Sequence, residues 1–267
     1  MTHFAHPSTL LLGSGASGIG LMFSSGFVQN GARVYITSRK ASECEKVAAD
    51  LSAKGPGKCF ALAEDLATLA GIASFARRLK AAGEDKVHVL INNSGMSWGQ
   101  PMMEFQEKGW DQVFALNVKS VFYMTREMLP FLEKGATKEH PSHVINIGSI
   151  AGITGQAVPT YSYDASKAAV HHLTKKLASD LAPSHICVNA IAPGFVPSKM
   201  SSQLLTYADK ATIEKNIPMG RLGDPADMAG AALFLSSRAS AWITGAILVA
   251  DGGLSSQPSK FNLDSHL

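Results

Sequence analysis

The sequence predicts an α/β fold: a single doubly wound, parallel sheet of about seven strands. Three observations predict it. Short apolar runs alternate with longer stretches of helical period along the whole chain. The runs end in turn-forming residues, at Gly13, Asn92, Ser149 and Pro193-Gly194. No linker, repeat or low-complexity stretch divides the 267 residues, a length that can bury a full core.

Residues 8–12 form the first strand run, and residues 21–30 read as a helix. Between them lies Gly13-Ser14-Gly15-Ala16-Ser17-Gly18-Ile19-Gly20. A strand, a glycine-rich turn and a helix form the context a dinucleotide pyrophosphate needs. Glycines let the backbone approach the phosphates, and the helix start supplies N–H groups and a favourable dipole. Residues 32–37 are the second strand, ending at Ser38-Arg39-Lys40. A carboxylate near this position would suit ribose hydroxyls; a base suits a 2′-phosphate, so Arg39 points to NADP(H). An exposed loop cation is the plainer account of Arg39.

Helical periods cover residues 42–54 and 68–82, with a third strand at 58–63 between them. The fourth strand, 87–91, runs into Asn92-Asn93-Ser94-Gly95. Residues 104–132 can hold one long helix with Asn117 inside it, although Asn is a poor helix former. The fifth strand is 142–147 and the next helix 161–181. The sixth strand is 185–191, residues 195–217 lack a clean period and read as mobile, 225–235 is helical, and 246–249 is the last strand. In such sheets ligands sit beyond the C-terminal strand ends, where these turns gather.

Composition narrows the function. There are 24 basic and 21 acidic residues with no run of like charge, which argues against nucleic acid. Arg77-Arg78 and Lys175-Lys176 read as solvated helix faces. The three cysteines and nine histidines show no metal spacing, so no metal is expected. No apolar run reaches transmembrane length and the N-terminus has no signal pattern, so a cytoplasmic protein is expected.

The chemistry centres on Ser149, Tyr163 and Lys167. Tyr163 and Lys167 are spaced to share one helix face. An ammonium beside a phenol favours the phenolate, which would let Tyr163 exchange a proton near neutral pH. A hydroxyl at the end of strand 142–147 could hold a carbonyl oxygen meanwhile. A surface Tyr and Lys at this spacing are common, so the pair alone does not decide the function.

With these pieces in order, the chain from about Leu10 to Gly253 resembles the short-chain dehydrogenase/reductase family, of Rossmann fold. The resemblance implies Tyr163 as acid/base, Lys167 as its partner and ribose ligand, Ser149 as carbonyl holder, and Asn117 as holder of a relay water. It implies a cofactor set of Gly13, Ser14, Ser17, Gly18, Ile19, Gly20, Ser38, Arg39, Asp65, Leu66, Asn93, Ser94, Gly95, Tyr163, Lys167, Pro193, Gly194, Val196 and Ser198. Three features depart from the family pattern. Ser14 stands at the first required glycine, Ser17 replaces a frequent base before Gly18, and the interval from Ser149 to Tyr163 is one residue longer than usual. Asn93 to Gly99, Asn146 to Ser149 and Ile217 to Arg221 look most like ketoreductases of the 3-oxoacyl-thioester and rhamnolipid-pathway type. That implies an apolar slot of Trp98, Ile150, Phe195, Met200 and Leu204, and a homotetramer joined by the helices after Glu104 and Tyr161. Tyr161 is the rival phenol but has no lysine one turn on.

Two other functions compete. Gly95-Met96-Ser97-Trp98-Gly99 matches the G-x-S-x-G of a serine hydrolase, but Gln100-Pro101 delays the helix a nucleophile elbow needs. A dinucleotide sensor without turnover would need a broken tetrad, and all four residues are present. Residues 1–253 read as the catalytic domain and 254–267 as a flexible tail. The tail ends Ser265-His266-Leu267, a variant of the S-K-L address of a peroxisomal import receptor.

Overall fold

The computed structural model describes residues 9–13, 15–202 and 209–257. Seven strands form one parallel sheet: β1 Thr9–Gly13, β2 Arg33–Thr37, β3 Lys58–Ala61, β4 Val89–Asn92, β5 Ser142–Ile147, β6 Ile186–Pro193 and β7 Ile247–Ala250. Their order is β3-β2-β1-β4-β5-β6-β7. The chain runs outward one way from β1 through β2 and β3, then returns to β4 on the other side. That reversal opens a crevice beyond the ends of β1 and β4. Gly13 closes β1 there, and a β-carbon on it would stand 2.9 Å from Ser94 Oγ, just past β4.

Helices cover both faces: α1 Gly18–Gln29, α2 Ala41–Lys54, α3 Leu69–Ala81, α4 Glu107–Phe114, α5 Ser120–Gly135, α6 Tyr161–Leu181, α7 Lys199–Ser202, α8 Lys210–Asn216 and α9 Pro225–Leu235. Alternate strand residues point to opposite faces. Val34, Ile36, Val89, Ile91, Ile145 and Ile147 pack with Phe23 and Phe27 of α1 and Met228 and Leu235 of α9. Tyr35, Leu90, Val144 and Val188 pack with Phe75 of α3, Met124 and Leu132 of α5 and Leu177 of α6. Strands buried on both faces explain their near-continuous apolar runs.

Three expectations change. The long helix expected over 104–132 runs over 107–135 as α4 and α5, widened between them by a π turn, Ala115–Lys119, with Asn117 at its centre. The stretch 195–217 carries α7 and α8, the latter started by Asp209, whose carboxylate accepts from Thr212 N–H at 2.9 Å. The expected tail begins with a 3₁₀ turn, Leu254–Ser256, whose Ser255 N–H donates to Asp251 Oδ2 at 2.6 Å. Ser14, Leu204 and Ser265-His266-Leu267 lie outside the described residues. Among the described residues, no helix is long and apolar enough to cross a membrane.

Candidate active site

The crevice has a glycine-rich end and a hydroxyl-bearing end. At the first, β1 stops at Gly13 and α1 starts at Gly18, which has φ +53°, a left-handed conformation that favours glycine. Gly15 sits so tightly that a β-carbon would lie 2.4 Å from Ile36 Cγ2. Ser24, fully buried in the second turn of α1, donates to the Gly15 and Gly20 carbonyls, each at 3.0 Å. The Ser17 side chain makes no capping hydrogen bond, and the first turn of α1 holds no acid. A shaped glycine turn leading to a helix start without an acid or side-chain cap fits a pyrophosphate.

The other expected cofactor residues surround this turn. Ser38 Oγ accepts from Lys40 N–H at 3.3 Å, while Arg39 is exposed and in no ion pair among the described residues. Asp65 Oδ1 accepts from Ala67 N–H at 3.0 Å, so its carboxylate shapes its own turn. Leu66 is buried and reaches Gly13: a β-carbon there would be 3.4 Å from Leu66 Cδ1. Pro193 ends β6 beside Ala250, and Val196 is buried. Ser198 exchanges hydrogen bonds with Ser201, at 2.7 Å from its N–H and 3.1 Å to its Oγ. It also crosses close to Gly18, where a β-carbon would be 3.3 Å from Ser198 Cβ.

At the other end, β5 delivers Ser149 and α6 delivers Tyr163 and Lys167. Ser149 caps a 3₁₀ turn, Ile150–Gly152, its Oγ accepting from Ala151 N–H at 3.1 Å. Tyr163 stands beside that hydroxyl, which draws the phenol's pKa down. Lys167 is 5% exposed; its Nζ donates to Ile147 O at 2.7 Å and lies 5.5 Å from the Tyr163 ring centroid. Asn117 is 1% exposed. It clamps Met96, accepting from its N–H at 2.9 Å and donating to its carbonyl at 3.0 Å. It also donates to Ser166 Oγ at 2.9 Å, and Ser166 donates to the Tyr163 carbonyl at 2.7 Å. A β-carbon on Gly95 would lie 3.4 Å from Asn117 Oδ1 and 3.7 Å from Lys167 Nζ, so this segment, Asn117 and Lys167 converge.

The electrostatics correct one expectation. Burial outweighs any lowering of the phenol's pKa by Lys167. Burial raises it, the Ser149 hydroxyl draws it back, and Asp164 pushes it up again. Lys167 is itself lowered by burial to about 8. Burial therefore moves the two groups toward each other, and the ammonium donates to a backbone carbonyl while lying over the phenol ring.

The expected slot residues differ in exposure. Trp98 lies against Gly109, where a β-carbon would be 2.7 Å from its Cδ1, and its Nε1 donates to Gln100 Oε1 at 3.1 Å. Ile150 is buried, Phe195 half-buried and Met200 exposed. Tyr161, the rival phenol, packs edge-on against Phe105 at the surface. No helix starts after Ser97: residues 93–100 have no regular structure, and the next element is a 3₁₀ turn at Met102–Glu104. That is not a nucleophile elbow. Sequence reading missed Ser24 and Ser166. Ser166 had a signal, since it follows Tyr163 at the spacing of one helical turn.

Known proteins share this architecture. The family model described as enoyl-(acyl carrier protein) reductase matches residues 14–255. The rhamnolipids biosynthesis 3-oxoacyl-(acyl-carrier-protein) reductase of Pseudomonas aeruginosa is 43% identical over 249 residues, 91% of this chain and 94% of that protein. A short-chain dehydrogenase/reductase of Diaporthe leptostromiformis is 32% identical over 271 residues, 92% of this chain and 91% of that one. The solved Pseudomonas aeruginosa RhlG/NADP active-site complex superimposes with a TM-score of 0.88 at 39% identity, covering 94% of this chain and 99% of that one.

Proposed function

The chain belongs to the short-chain dehydrogenase/reductase family, and we propose that it reduces an apolar ketone, of the 3-oxoacyl-thioester kind, with NADPH. It is an NADP-dependent oxidoreductase of C=O and CH–OH groups, the class its relatives share. The observation that carries the ketone reading is the pair of hydroxyls, Ser149 and Tyr163, side by side above a buried Lys167. Two hydroxyls on one carbonyl oxygen polarise it and then protonate it.

The glycine turn from Gly13 to Gly20 and the start of α1 would hold the pyrophosphate, and Arg39 a 2′-phosphate. Bound NADPH supplies the hydride. Ser149 orients the substrate oxygen, and Tyr163 gives it the proton. Lys167, close to neutral pH in its own titration, holds positive charge beneath the phenol as the proton leaves. Asn117 fixes Met96 and, through Ser166, the first turn of α6.

A ketone panel with NADPH, read by cofactor oxidation, tests this. Acetoacetyl thioester and medium-chain aliphatic ketones should be reduced, and crotonyl thioester should not. Reduction of the crotonyl thioester alone would replace the reading with the enoyl chemistry named by the matching family model. No oxidation with any ketone would favour a dinucleotide sensor.

We further propose a homotetramer and a cytoplasmic enzyme, peroxisomal if the tail is read by an import receptor. Exposed Trp110 on α4 and Phe122 on α5 support the first. A single monomeric species on ultracentrifugation would reject it. A fluorescent protein fused ahead of residues 260–267 tests the second: diffuse signal in a eukaryotic cell ends it.

A further inference from the structure

The proposed chemistry leaves a buried polar ring on the Tyr163 helix unused. His171 follows Lys167 on α6 at the spacing by which Lys167 follows Tyr163, so the three share a helix face. His171 is 7% exposed, and its Nε2 is buried without a hydrogen-bond partner. The ring edge lies against Gly148: a β-carbon there would stand 2.1 Å from Nε2 and 2.6 Å from Cδ2. The Gly152 backbone lies close enough to the imidazole to raise its pKa. Gly152 in turn is pressed onto α6, where a β-carbon would be 2.6 Å from the Lys167 carbonyl carbon. The ring thus touches both ends of the segment 148–152, and Ser149 rides on that segment.

We infer that His171 is a positioning residue that sets Ser149 against Tyr163. The inference rests on the ketone-reductase reading above. Ser149 comes from a strand end and Tyr163 from a helix, so some contact must fix the distance between their hydroxyls. Among the described residues, the hydrogen bond that holds Ser149 Oγ to the backbone comes from Ala151, within the same turn. His171 reaches that turn from the helix that carries Tyr163. A flat ring against a glycine is a stiff wedge, because the missing side chain lets ring and backbone meet directly. Burial, reinforced by the Lys167 charge, favours the neutral imidazole.

The test uses the full chain and the ketone found by the panel. His171→Ala, His171→Phe, His171→Asn and His171→Gln are each made alone and on a Ser149→Ala background. Misplacing a reacting group by a fraction of an ångström should lower kcat about tenfold in the Ala and Phe variants, with the KM for NADPH changed less than about twofold. The Asn or Gln amide, whichever reaches Gly152, should restore most of the rate. On the Ser149→Ala background none of the four should lower kcat further, because the group being positioned is gone. If the Ala variant does not fold, the Phe variant fills the space and carries the test. An undiminished loss on both backgrounds, unchanged kcat in both the Ala and Phe variants, or no rescue by either amide overturns the inference. Unchanged turnover in Ser149→Ala alone would sink the reading of Ser149 itself, and this inference with it.

Discussion

At the hydroxyl end of the crevice, buried side chains bond across elements; at the glycine end, the corresponding groups bond their own turns or stand in solvent. Asn117 joins the π turn to Met96 and to α6. Beneath it, Asn92 Nδ2 donates to Asn146 Oδ1 at 2.9 Å and to Thr125 Oγ1 at 3.1 Å, and Asn146 Nδ2 donates to Thr174 Oγ1 at 2.9 Å. That ladder ties β4, β5, α5 and α6 together under the site. Ser38 and Asp65 bond backbone groups of their own turns, and Arg39 is exposed. The difference follows from the task. A proton donor must be placed before the substrate arrives, since catalysis is lost with fractions of an ångström. A phosphate can be met by backbone amides and one long cation, which need no scaffold of side chains.

Tyr163→Phe gives the largest break. It should lower kcat about 10²–10⁴-fold and leave NADPH affinity within about twofold, because the proton is needed in the transition state only. Retention of a tenth of the rate would mean another acid. Next comes Arg39→Asp, which should reverse the NADPH preference through cofactor KM, by about 10–100-fold, with kcat little changed. Equal use of both cofactors by the unaltered chain would remove Arg39 from the site.

Lys167→Met should abolish turnover yet stabilise the fold by on the order of 1–3 kcal/mol at neutral pH, seen in denaturant midpoints. The folded pKa lies at about 8 against an ordinary 10.5. The unfolded chain therefore binds more protons between those values, and stability rises with pH across that window. Below about 8 the full cost of the buried charge is present, and the Met variant should lose the rise. A less stable Met variant would show that the bond to Ile147 outweighs the burial. The smallest effect belongs to Ser24→Ala, about 1 kcal/mol, with a modest rise in cofactor KM as the Gly15 carbonyl loses its donor. No change in either would leave the glycine turn standing on its backbone alone.

Local signals were legible in the sequence. Helix α9 begins at Pro225 behind Asp224, whose carboxylate accepts from Ala226 and Asp227, and that capping pattern is written in adjacent residues. Helix α6 and strand β5 likewise have the bounds their periods predict. The Tyr163 and Lys167 face was legible for the same reason. What Lys167 bonds was not, because Ile147 lies on another element and offers only a backbone carbonyl. The π turn was hidden too: Asn117 is held by Met96, a distant residue whose type carries no hint of the contact. Ser24 and His171 look ordinary in a helical pattern, and only their buried partners single them out.

The π turn has a consequence for the evolution of this segment. Such a turn carries one residue more than a regular helix of its length needs. Deleting Val118 would let 107–135 close as one unbroken helix with the flanking parts near their present phase, because a π turn rotates the chain about as far as one residue fewer of α-helix. The stripe of Val121, Met124, Met128 and Leu132 would stay on the core, and only the local widening in which Asn117 meets the Met96 backbone would be lost. The surplus residue thus reshapes the wall of the crevice and leaves the packing of the helix as it was.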